Sequence, residues 1–407
     1  MKNRFASWVL GTAALMGILA TDAFALDKTV NIGVLTDMSG LYADIGGEGS
    51  VVAAELAIED SGLKDKGWTI NILSGDHQNK ADIGANVARG WIDQDKVDVI
   101  ADVPTSSVVL ALNGIVKDKN ALLLVSGAGT SELTNGQCSP NTIQWTYDTY
   151  LTAHGLGGAL TREGAKKWFF MTMDNAGGHS LERDATTAIE KEGGTIVGGV
   201  KHPFINSDFS SYLLQAQGSG ADVIGLANAG GDTINAIKQA SEFGITQGGQ
   251  KLAAMLMFIS DVHALGLDTA QGLSFISAFY WDQDDNTRAF AKRFQERVKS
   301  GAMPTMAHAG VYSSLMHYFK ALEKLGGNPH DGAEVAAVMK EIPVDDPLFG
   351  KGEVQVNGRV THPAYLFEVK SPAESKGPWD YYKLIATIPA DQAFLPLEQS
   401  TCELVKK

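Results

Sequence analysis

Two short stretches hold the residues best placed to do chemistry. "DVPTSS", Asp102 to Ser107, follows the apolar run "VDVIA" and opens the helix-like "VVLALNGIV". "GAGTSELT", Gly127 to Thr134, follows "ALLLVS" in the same way. Each places hydroxyls where a buried strand gives way to a helix, and the first N–H groups of a helix have no intrahelical partner. Thr105, Ser106 and Thr130 add hydroxyl donors to those N–H groups, enough to hold a carboxylate or similar anion without lysine or arginine. The competing reading is local: Ser and Thr before a helix commonly cap their own backbone, and "TSSV" and "TSEL" suit that equally.

Catalytic and metal chemistry have less to stand on. The chain has no G-x-S-x-G elbow. It also lacks an HExxH, a CxxC and a P-loop lysine motif. "GAGTSE" has two glycines of a dinucleotide fingerprint and lacks the third. Three loop histidines, His77, His179 and His263, read as structural or solvated rather than as a triad or metal set. No cofactor and no metal are expected.

The elements that must position the two turns follow a rhythm. "TVNIGVL", "WTINILS", "VDVIAD" and "ALLLVS" are β-rich, and amphipathic helical patterns separate them. The rhythm restarts near residue 150 with "KKWFFMTM", "TIVGGVKH", "ADVIGLAN" and "LAAMLMF". Such alternation means βαβ units and parallel sheets with both faces covered. Two long helical patterns follow "LSFISAFYW". A β-rich stretch then carries Asn357-Gly358 as a hairpin signal. In open parallel sheets ligands sit beyond the carboxyl ends of the strands, where both hydroxyl turns fall.

The N-terminus sets the compartment. "MKNR", the apolar "FASWVLGTAALMGILA" and "AFA" read as a secretory signal over residues 1–25, cut before Leu26. The rival, a membrane anchor, fits worse: the run is short, Asp22 breaks its end and no second span follows. Cleavage leaves 382 residues, long enough for two domains. Losing Lys2, Arg4 and Asp22 takes the net charge from −14 to −15, a surface that repels nucleic acid and anionic lipid. The two cysteines, Cys138 and Cys402, are expected to pair in an oxidising compartment, the alternative being two free thiols. Pairing would tie the tail, 373–407, back to the first third of the chain.

Three stretches carry a family resemblance: "NIGVLTDMSGLYADIGGEGSVVAAELAIED", "VDVIADVPTSSVVLALNGIV" and "LLVSGAGTSELT". They resemble the type I periplasmic binding proteins, in the leucine/isoleucine/valine-binding branch of ABC-transporter receptors. "SPNTIQWTYDTY" and "PWDYYKLIATIPADQAFLPLEQSTC" resemble a proteobacterial subgroup whose relatives include receptors for aromatic acids. The likeness covers 28–372 in order. It implies an α/β Venus-flytrap of two lobes, each a parallel sheet flanked by helices. The first lobe would be 28–147 plus 279–345 and the second 148–278 plus 346–372, closing by a hinge on a ligand in the cleft. It also implies that the loops with Thr105 and Ser106, and with Ala128 and Thr130, bind the ligand carboxylate.

The second lobe departs from the family pattern. Asn175 in "DNAGG" stands where a tyrosine commonly stacks over the ligand. "ANAGGD" brings Asn228 and Asp232, and Asp261 in "FISD" is the nearest acid for an α-ammonium unless it caps a helix. Tyr42, Trp145, Tyr147, Tyr150, Tyr280 and Trp281 are candidates to pack on a ring. The expected function is a monomeric periplasmic receptor, not an enzyme. It would pass a small carboxylate, either an organic or aromatic acid or a branched-chain amino acid, to an inner-membrane ABC permease. A sensory receptor serving a membrane signalling partner is the alternative, and an exported enzyme comes third.

Overall fold

The structure, a computed structural model, describes residues 26–406; the signal-peptide reading of 1–25 lies outside them. The chain builds two parallel sheets in succession. The first contains β1 (Thr29–Thr36), β2 (Thr69–Asp76), β3 (Val99–Asp102), β4 (Leu122–Val125) and β5 (Thr142–Gln144), in the order β2-β1-β3-β4-β5. Between them run α1 (Gly47–Asp60), α2 (Ala81–Asp93) and α3 (Ser106–Lys119). Every residue of β3 and β4 is buried, as a strand sandwiched between helices requires. α3 ends where Asn120 turns left-handed at φ 53°.

The pattern of the first sheet then repeats. A helix interrupted by a wide turn at Ala153–Gly158, α4 (Thr149–Thr152) and α5 (Ala159–Arg162), leads into the second sheet. That sheet holds β6 (Lys167–Met173), β7 (Thr195–His202), β8 (Val223–Ala227) and β9 (Lys251–Ala254), in the order β7-β6-β8-β9. The connecting helices are α6 (Ala176–Lys191), α7 (Ser210–Gly218) and α8 (Gly231–Glu242). Both sheets reverse direction of growth beside their first strand, between β1 and β3 and between β6 and β8. That reversal opens a crevice at the carboxyl ends of the strands.

The chain then crosses between lobes. After α9 (Ile259–Leu265) and α10 (Leu267–Ala270), β10 (Ser274–Ser277) packs with the second lobe. α11 (Asp285–Arg297) and the long α12 (Met306–Leu325) return to the first lobe and pack against α1. α13 (Gly332–Glu341) follows. The return to the second lobe comes later than residue 346. β11 (Val344–Asp346), β12 (Gly350–Val354) and β13 (Val360–Thr361) form one antiparallel sheet, and Arg359 bridges to Gln144 of β5. The hairpin signal is the cause: Gly358 turns at φ 85°, and Asn357 Nδ2 donates to Thr134 O at 2.9 Å, pinning the turn to the first lobe. β14 (Ala364–Val369) then pairs with β10 and with β15 (Tyr382–Ile388). Beyond β15, Cys402 is bonded to Cys138 with 5.6 Å between Cα atoms, and Ser400 Oγ donates to Thr134 O at 2.9 Å.

Candidate ligand-binding site

The carboxyl ends of the two sheets face each other around one cavity, with about 470 Å³ of atom-free space counting what opens to solvent. Almost every lining residue stands just after a strand. Tyr42 and Ile45 follow β1, Pro104 to Ser106 follow β3, Gly127 and Gly129 follow β4, and Tyr147 and Thr149 follow β5. From the second lobe come Met173, Asn175 and Gly177 at the end of β6, Ala229 after β8, and Leu256 and Phe258 after β9. Leu181 on α6 completes the wall.

Among the described residues, no lysine, arginine, histidine, aspartate or glutamate lines this space. Its polarity comes from backbone and neutral side chains. The N–H groups of Ser106, Gly129, Gly177 and Ala229 donate to nothing in the described residues. Ser106 and Gly177 stand in the first turns of α3 and α6, where the helix dipole adds positive potential. The Ser106 hydroxyl, on a residue only 8% exposed, also has no partner among the described residues, and it faces the opposite lobe: a Cβ built on Gly177 would lie 3.2 Å from it. Tyr42 Oη donates to Met173 Sδ at 3.6 Å. Burial drives the Tyr42 and Tyr147 phenols upward, so both stay neutral.

The two hydroxyl turns part company. The Thr105 hydroxyl does not cap α3; it donates to Asn79 Oδ1, and Asn79 in turn donates to Asp37. Thr105 and Ser106 both line the cavity. Thr130 does not. It is fully buried, its Oγ1 lies 2.9 Å from Ser180 Oγ of α6, and it accepts a long bond from Glu132 N at 3.4 Å. Ala128 also lies behind the wall, its carbonyl accepting from Gln144 Nε2 at 3.0 Å. The two glycines that flank Ala128 form the surface instead.

Among the second-lobe candidates only Asn175 reaches the cavity, and its Oδ1 caps α6 by accepting from Gly178 N at 3.0 Å. Asn228 is buried beneath, between His202 at 3.2 Å and the Thr233 hydroxyl at 2.7 Å. Asp232 accepts from Asn206 N at 2.8 Å and Ile205 N at 3.2 Å, and burial lifts its carboxyl to about 6. Asp261 takes the capping role: its Oδ2 accepts from Phe258 N at 2.9 Å, ahead of α9, and burial pushes the carboxyl up to about 7. Of the six aromatic candidates, Tyr42 and Tyr147 line the cavity. Trp145 packs on His317 and Tyr150 on His154, while Tyr280 and Trp281 belong to the core around Tyr382 and Trp379.

Several wall residues carry no sequence signal of their own. Met173, Leu181, Leu256 and Phe258 are apolar residues at strand ends or on a helix, indistinguishable in type from core. The lobes also touch beside the cavity. Arg183 of α6 pairs with Glu132 at 2.6 Å and donates to Ser131 Oγ at 2.7 Å, while Asp184 accepts from Ser131 Oγ at 2.8 Å. Gly230, at φ 58°, lets the second lobe close on the first: a Cβ there would meet Leu41 O at 2.9 Å.

Comparison with known proteins agrees with this architecture. A periplasmic binding protein of Burkholderia mallei is 46% identical, with a TM-score of 0.89, covering 93% of this chain and 100% of that one. A branched-chain amino acid ABC transporter periplasmic ligand-binding protein of Burkholderia xenovorans LB400 is 42% identical, with a TM-score of 0.82 and the same coverage. The Leu/Ile/Val-binding protein homolog 6 of Brucella melitensis is 24% identical over 374 residues, 88% of this chain and 92% of that protein. The family profile described as "Periplasmic binding protein" matches residues 29–378, most of the chain, and the chain belongs to that family.

Proposed function

We propose that this protein captures a small organic acid between its lobes and delivers it to an inner-membrane ABC permease, without chemical change to the ligand. One observation carries the choice of ligand: the cavity pairs unpartnered N–H groups and the Ser106 hydroxyl with an apolar and aromatic wall, and no carboxylate of the described residues lines it. An anionic head suits the helix N-termini. An α-ammonium would be buried without a charged partner, at a cost of several kcal/mol. Asp261, the acid nearest in sequence to that role, is engaged by Phe258 N. A ring or chain without an ammonium would rest against Tyr42, Tyr147 and Phe258. The test is a competition titration of leucine against benzoate and 3-phenylpropanoate. Binding of an aromatic acid with leucine excluded supports the proposal; micromolar leucine binding with both acids excluded overturns it.

A further inference from the structure

Asp102 ends β3 fully buried. Its Oδ2 accepts from Ser50 Oγ at 2.7 Å, and its Oδ1 has no partner among the described residues. The turn that follows folds over this free oxygen. A Cβ built on Gly127 would stand 2.9 Å from Asp102 Oδ1 and 2.7 Å from Pro104 Cα, and Pro104 and Gly127 both line the cavity. One layer of backbone therefore separates the carboxyl from the cavity. That backbone is strained: Asp102 has φ 81° and Val103 φ 55°, a region that β-branched residues avoid and that marks functional turns.

Among the described residues no cation balances the carboxyl. α1 faces it with Ser50 and β1 with Thr36, both hydroxyls. Tyr147, beyond β5, is a neutral phenol whose Oη donates to Gly127 O. His308 of α12, bonded to Gly46 O at 2.7 Å, is held neutral by burial, which takes it down to about 4. Asp261 of the second lobe adds a further acid near Tyr147. Burial lifts the Asp102 carboxyl to about 6 against the pull of its hydroxyl partners.

We propose that Asp102 is a positioning residue that takes up a proton when a carboxylate docks at the Ser106 turn, so that each anion is captured together with one H⁺. The inference rests on the carboxylate reading of the cavity. Two carboxylates on either side of one backbone layer, in a low dielectric, cannot both stay ionised cheaply. The proton comes from solvent and goes to Asp102; no bond to the ligand forms or breaks. The linkage has a definite sign. Below about pH 6 Asp102 is already protonated and affinity is flat. Above it, affinity falls by up to about tenfold per pH unit until the pKa of the liganded form is passed.

Calorimetric titration of benzoate, 3-phenylpropanoate and leucine, each of which carries a carboxylate, tests this between about pH 6 and about pH 8.5 in buffers of different ionisation enthalpy. Expected for any probe that binds is an enthalpy that differs between buffers, corresponding to uptake approaching one proton above neutrality, with the matching loss of affinity. Asp102→Asn should bind the same probe with neither effect. Binding with equal enthalpies and a flat pH profile overturns the proposal and leaves the receptor reading intact. So does uptake of the same size in Asp102→Asn. If none of the three probes binds, the carboxylate reading fails and this inference falls with it. Should Asp102→Asn fail to fold, infrared difference spectra of the protein with ¹³C-labelled aspartate decide: a protonated carboxyl band must appear on binding, and its absence overturns the proposal.

Discussion

Replacing Ser106 by alanine removes one hydroxyl from the cavity wall and little else. The side chain makes no hydrogen bond among the described residues, and the first backbone bonds of α3, from Val108 and Val109 at 3.0 Å, end on Thr105 O. Folding stability should therefore move by less than about 0.5 kcal/mol, and alanine is the better helix former. Binding should suffer far more. A hydrogen bond to a charged group contributes about 1.5–3 kcal/mol, and at about 1.4 kcal/mol per decade that raises Kd about 10- to 150-fold. Thr130→Ala supplies the contrast. Its hydroxyl meets Ser180 across the lobes rather than the cavity. A neutral pair contributes about 0.5–1.5 kcal/mol, or about 2- to 12-fold, and the loss should fall on the dissociation rate as the lobes part. Calorimetry gives Kd, stopped-flow release gives the off-rate and thermal melting gives stability. A Ser106→Ala variant that binds within twofold of the parent refutes the placement of this hydroxyl at the ligand's anionic head.

Gly129→Ala should weaken binding about 5- to 140-fold by displacing Tyr147, because the new Cβ would meet its Cε2 at 2.6 Å; overpacking of this kind costs about 1–3 kcal/mol, and an unchanged Kd would count against it. Cys402→Ser opens a loop of 264 residues, for which chain entropy sets an upper bound of about 5.6 kcal/mol, so the denaturant midpoint should fall while Kd holds; an unmoved midpoint argues against the tie. Arg183→Ala should speed ligand release a few-fold without slowing association, since its exposed pair with Glu132 is worth under about 1 kcal/mol and forms only with the lobes together; equal off-rates refute it. Asp261 is pushed up to about 7 in the folded protein, above its ordinary value. The stability it contributes is present in full below about pH 4 and lost as pH rises through about 7. Asp261→Asn should flatten that part of the melting profile, and an unaltered slope between those limits would refute the assignment.

Much of the fold is legible in the sequence because local physics dictates it. "VIAD" and "LLLV" are buried on both faces and read as central parallel strands; helical periodicity between them fixes the βαβ order, and the order fixes where a crevice must open. The hydroxyl turns are legible as strand-end features for the same reason, and an even cysteine count in an exported chain points to the 138–402 pair. What each side chain then faces was decided only in three dimensions. Thr105 and Thr130 are the same residue type before the same kind of turn, yet one stands at the cavity and the other meets α6, because lobe orientation sets the outcome. Asp261 could serve a ligand or cap a helix on sequence grounds, and the position of Phe258 N settles its bond. Met173, Leu256 and Phe258 line the ligand space though their type says only that they avoid water. The stretch 346–361 stays with the first lobe because Asn357 and Arg359 find partners there, more than two hundred residues earlier in the chain. Patterns along the chain report burial and period; the direction of a buried polar group is set by distant partners that no local pattern encodes.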